Sequence, residues 1–99
     1  MTTVSWSLSA QRDARAIHEY IALDSPGHAD TFVASLEKAT ERLELFPLSG
    51  RLMPEEPSGR THEVIHRDYR IAYTIMGERV VIVGVWHGSM DLGATEPDR

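Results

Sequence analysis

His62-Glu63-Val64-Ile65-His66 matches H-E-x-x-H, a pattern in which two histidines hold zinc and the glutamate serves as general base. That chemistry requires a helix, where two imidazoles one turn apart can reach a single ion at about 2.0–2.1 Å. On a strand, four residues at roughly 3.3 Å each would place the two Cα atoms about 13 Å apart, too far to share one tetrahedral ion easily. A third ligand would have to come from His87 or Asp91. The second candidate chemistry is anion recognition. Lys38 is the only lysine, and residues 51–90 carry five arginines, Arg51, Arg60, Arg67, Arg70 and Arg79, against five acids. An arginine-biased, locally balanced segment suits bidentate contact with carboxylates or phosphates, or pairing with its own acids.

The elements that would position these residues follow from periodicity. Val4-Ser5-Trp6-Ser7-Leu8 alternates as a short strand with one buried face. Ser9 stands where an N-cap belongs, and Ala10, Ala14, Ile17 and Ile21 then share one face of a helix running to about Asp24. Trp6 and Tyr20 read as core or edge packing. Ser25 and Pro26 supply the cap and first position of a second helix, whose Ala29, Phe32, Val33, Leu36, Ala39, Leu43 and Phe46 form the strongest periodic signal in the chain. Its other face, with Asp30, Glu37, Lys38, Glu41 and Glu44, is solvated. Residues 47–60, with three prolines and two glycines, predict an irregular loop.

Residues 61–91 predict three strands joined by two tight turns. Val64 and Ile65 are β-branched, Gly59 precedes them, and Arg67-Asp68 reads as a turn directly after His66. These features favour a strand for the H-E-x-x-H segment and leave a zinc metallopeptidase as a remote alternative. Tyr69, Ile71, Tyr73 and Ile75 share one face of the next strand, so Arg70 points away from the side the helices cover. Met76 to Arg79 form a hairpin turn, Val80 to Trp86 is apolar on both faces, and residues 92–99 make a polar tail.

Ninety-nine residues suffice for a single domain, here 1–99. A net charge of −5 argues against diffuse binding to nucleic acid, which needs surplus cations to displace counterions. The chain has no cysteine, no visible signal peptide and no apolar run near the roughly 20 residues of a membrane span, so a cytoplasmic location without membrane contact is expected. No cofactor is expected.

Phe46-Pro47-x-x-Gly50-Arg51, Pro54-Glu55, Tyr69-Arg70-Ile71-x-Tyr73 and Val85-x-His87-Gly88-Ser89-Met90-Asp91, with Trp6, Tyr20-Ile21 and Ser25-Pro26 earlier, resemble the RelE/ParE superfamily of type II toxins. The resemblance spans about Val4 to Asp91. It implies an α+β fold, β-α-α-β-β-β, with a helical hairpin packed on one face of a small, mostly antiparallel twisted sheet. It also implies a cognate antitoxin as partner and leaves homodimer and toxin–antitoxin hetero-oligomer open. RelE-like members cleave mRNA on the ribosome, which here would use Arg70 as phosphate donor and His87 as acid or base. ParE-like members poison DNA gyrase. This sequence has no lysine beside Arg70, carries Met90 where many relatives have arginine, and has no tyrosine after His87, so it looks closer to the ParE branch. Arg51, Arg60, Arg67, Arg70, Met90 and Asp91 are the expected target- or antitoxin-binding residues. Structural roles compete for several of these. Arg70 could pair with Glu63 or Asp91, His87 with Asp91, and Arg51 could bond the carbonyls that end the second helix.

Overall fold

The structure, a computed structural model, describes residues 2–88. Chain order is β1 (Thr3–Trp6), α1 (Leu8–Ala22), α2 (Pro26–Glu41), a 3-10 turn (Arg42–Glu44), β2 (Arg51–Leu52), β3 (Thr61–His66), β4 (Tyr69–Met76) and β5 (Arg79–His87). The expected β-α-α-β-β-β plan is present, with one two-residue strand added in the proline-rich loop. The sheet runs β1-β5-β4-β3-β2, and only the β1–β5 pair is parallel.

The first helix begins two residues earlier than predicted. Ser7, not Ser9, is the N-cap: its backbone is extended, its Oγ accepts from Ala10 N at 3.1 Å, and its own N–H still donates to Ile82 O of the sheet at 2.9 Å. The strand therefore ends at Trp6, and Leu8 lies exposed in the first helical turn. Ser25 caps α2 as expected, accepting from His28 N, with Pro26 at the first position. The apolar stripe of α2 buries Ala29, Phe32 and Leu36, and Leu43 follows from the 3-10 turn. That turn changes the period, so Phe46 leaves the buried face and is exposed, as is Tyr20 on α1.

Leu36, Leu43, Ile71, Tyr73, Val80 and Ile82 form the centre of the core between hairpin and sheet. Tyr73 also organises the start of the long loop. Its hydroxyl donates to Pro47 O at 2.7 Å and accepts from Gly50 N at 3.0 Å. Gly50 is required by close approach: a Cβ there would lie 2.6 Å from both Glu63 O and Tyr73 Oη.

A β-bulge in β5 decides which residues meet. Ala72 pairs with Gly84 and Tyr73 with Ile82, so Val83 is the extra residue. Val80 and Ile82 face the helices, and beyond the bulge Val85 does too, whereas strict alternation would have turned Gly84 and Trp86 inward. Asp13 of α1 reaches this region, its Oδ2 accepting from Val85 N at 3.0 Å.

Candidate functional site

The sheet face turned away from the helices carries a four-residue ion cluster. Arg51 on β2 pairs directly with Glu63 on β3, and Arg70 on β4 lies diagonally across, opposite Ile65. Ala72, the residue opposite Glu63, is small enough to leave room. Glu63 is fully buried and holds both arginines: Arg51 Nε donates to Oε2 at 2.6 Å and Arg70 Nε to Oε1 at 2.7 Å. The terminal nitrogens of Arg70 donate to Glu55 from the loop, Nη1 to Oε2 at 2.8 Å and Nη2 to Oε1 at 2.6 Å. This is a bidentate, charge-assisted pair with almost no solvent around the guanidinium. Those bonds to Arg70 hold the Glu55 carboxyl down at about 2 despite some desolvation. Arg70 in turn is raised above its ordinary range, by Glu55 first and Glu63 second.

A cavity of about 230 Å³ opens beside the cluster, bordered among others by Arg51, Pro54, Glu55, Ile65 and Arg70. Trp86 lies opposite Arg70 on the same face and folds back over Gly84, where a Cβ would come within 2.6 Å of its ring.

His87 is elsewhere. It pairs with Tyr69, meets that ring edge-on at 5.2 Å, and faces α1, where Asp13, Ala16, Ile17, Tyr20 and Val85 line a groove of about 530 Å³ with it. Tyr69 itself packs on Phe32 of α2. Arg70 and His87 therefore project from opposite faces of the sheet. The structure does not bring them together.

The H-E-x-x-H segment is strand β3, as its β-branched residues predict. His62 and His66 face the helices, Glu63 the other side. His62 stacks on Tyr73 with ring centroids 5.4 Å apart. Ser35 Oγ donates to Phe32 O at 2.6 Å, so at 2.9 Å it accepts from His66 Nε2–H. Burial, and then the charge of Arg67, lowers the pKa of His66. Among the described residues, no three His, Asp or Glu side chains gather as a metal ion would require.

Of the other expected residues, Arg51 is bound to Glu63 and not to the carbonyls at the end of α2, because β2 pairing draws it onto the sheet. Arg67 occupies the β3–β4 turn at φ 54° with its guanidinium 5.9 Å from the Phe32 ring centre, and Arg60 is exposed at the end of the loop. Met90 and Asp91 lie outside the described residues. Glu63 is one of the partners that the sequence suggests for Arg70. Glu55 is not among them, and its position after Pro54 in a long loop is the available signal.

A family model described as "ParE toxin of type II toxin-antitoxin system, parDE" matches residues 4–92. The chain belongs to the ParE toxin family. No curated protein sequence matches this ParE-family chain. Among solved structures, a chain of the chromosomal ParDE system from P. aeruginosa is 20% identical with a TM-score of 0.75, over 88% of this chain and 96% of that one. A chain of the RelBE2 toxin–antitoxin complex from Mycobacterium tuberculosis is 26% identical with a TM-score of 0.62, over 87% and 96% respectively. The expected α+β toxin fold is thus the fold of this ParE-family member.

Proposed function

We propose that this ParE-family chain acts by binding and poisoning DNA gyrase, and that a cognate antitoxin neutralises it by laying an acidic or amphipathic segment along the sheet and hairpin. The observation that carries the choice of a binding toxin over a ribosome-dependent mRNA endonuclease is the placement of Arg70 and His87 on opposite faces of the sheet. General acid–base cleavage of a phosphodiester needs the cation and the proton donor or acceptor around one phosphate. Here Arg70 is already occupied by two carboxylates and His87 looks toward α1. The names of the similar structures, a ParDE system and a RelBE2 toxin–antitoxin complex, support an antitoxin partner.

Arg60, Arg67 and the exposed end of Arg51 are the arginines assigned to a partner in this reading, which their exposure supports, with Met90 and Asp91 retained as contacts on sequence grounds. Arg70 contributes by holding the face together. Gyrase acts in the cytoplasm, and no helix among the described residues is long and apolar enough to cross a membrane. The test is direct: purified gyrase should lose supercoiling activity on addition of the purified chain. Unimpaired gyrase together with cut mRNA in a translation extract would establish the endonuclease instead.

A further inference from the structure

Arg70 offers a two-nitrogen fork, and the carboxylate filling it comes from a loop rather than from the sheet. Residues 53–60 are anchored at one end by Met53, which is buried and donates its N–H to Thr61 O at 2.9 Å. Beyond that anchor the hydrogen bonds run between near neighbours: Glu56 N to Met53 O at 3.1 Å, Ser58 Oγ to the Glu56 carboxylate, Arg60 N to Ser58 Oγ at 3.2 Å. Pro54 and Pro57 have no N–H to contribute, and Gly59 sits at φ 76° in open space. Glu55 is the residue through which this loop grips β4, fifteen positions away.

The charges beneath it are balanced only while it stays. Arg51 and Arg70 face Glu55 and Glu63; without Glu55, two cations share one buried carboxylate beside a cavity of about 230 Å³. Two arginines sharing one carboxylate, with the fork of Arg70 withdrawn from water and unpartnered, are unfavourable, so an oxyanion from solution would take the place.

We propose that Glu55 is a tethered anion that keeps an oxyanion seat on Arg51 and Arg70 closed, and that this seat accepts a small oxyanion when residues 54–60, beyond the Met53 anchor, swing away. The device belongs to the chain itself and requires neither gyrase nor antitoxin.

The experiment follows arginine Nε–Hε resonances of the full chain at pH 7 and constant ionic strength, with inorganic phosphate in one arm and acetate in the other. Wild type should give no saturable shift. Glu55→Gln should give one at both Arg70 and Arg51, at least about tenfold tighter than any response of wild type, and adding Arg70→Lys should abolish the one at Arg51. Response to phosphate alone assigns tetrahedral oxyanions, response to acetate alone assigns carboxylates, and response to both assigns the shared chemistry. The proposal fails if folded Glu55→Gln responds no more than wild type, or if the Arg51 response survives Arg70→Lys. Should Glu55→Gln not fold, Glu55→Asp, one methylene short of the fork, is titrated in its place. Binding above wild type supports the seat, and binding equal to wild type overturns it.

Discussion

Glu63 is the side chain on which the open face depends, because both its oxygens are committed to arginines and none of it reaches solvent. Glu63→Gln keeps the shape but leaves Arg51 and Arg70 with Glu55 as the one carboxylate between them, around a fully buried neutral amide. Removing one partner of a buried pair typically costs about 3–5 kcal/mol, and in a domain of this size each kilocalorie lowers the midpoint by roughly 4–8 °C. Thermal unfolding should therefore fall by well over 10 °C, and a change within a few degrees would mean the cluster is not buried as described. Glu55 adds a pH dependence of definite sign. Its folded pKa, about 2, lies below the ordinary 4.5, so its contribution is full above that range, declines as pH falls through it, and is gone below about 2. Urea midpoints measured from pH 6 to pH 3 should drop more steeply for wild type than for Glu55→Gln. Parallel profiles would show that the Arg70–Glu55 pair carries no linkage.

Elements are placed by details smaller than their own periodicity. Tyr73 fastens the loop to the sheet through one hydroxyl, so Tyr73→Phe strands Gly50 N–H and Pro47 C=O, and a loss of roughly 1–3 kcal/mol is expected from denaturant midpoints. Gly50→Ala should do at least as much harm by pushing on Glu63 O and the same hydroxyl; a neutral effect of both changes would mean that the loop is not docked there. Most elements were legible because their signals are local: the cap at Ser25, the α2 stripe, the turn at Arg67-Asp68 and the alternation through Tyr69–Ile75 all act within a few residues. The exchange of Ser9 for Ser7 as cap was not, because an inter-strand bond from Ser7 N to Ile82 O selects the boundary. The bulge at Val83 was invisible for a similar reason. Val80 to Trp86 is apolar on both faces, so its alternation gives no phase, and only pairing with β4 shows that Trp86 joins Arg70 while His87 turns to α1. Likewise Glu55 and Arg70 are joined by a loop whose path prolines interrupt and no periodicity describes.

For the molecule as a whole, the two faces make separable demands on function. If the toxin works by binding, the helix-side histidine is dispensable for its effect, whereas the arginine cluster is needed because it keeps the open face folded. His87→Ala should therefore leave growth arrest, induction of the SOS response and inhibition of supercoiling within about twofold of wild type, less than half a kilocalorie in apparent affinity. Arg70→Ala should weaken all three together with thermal stability, since it strands the Glu55 carboxylate and leaves the fully buried Glu63 with Arg51 alone. Arg70→Lys retains the charge but loses the bidentate fork, so it should fall between wild type and Arg70→Ala in both toxicity and midpoint. A chemical role would separate these quantities: His87→Ala would lose activity by orders of magnitude with its unfolding midpoint unchanged, and mRNA would be cut in a translation extract only by the wild-type chain. Measuring toxicity and midpoint side by side in the three variants thus distinguishes a surface that must hold its shape from a site that must move a proton.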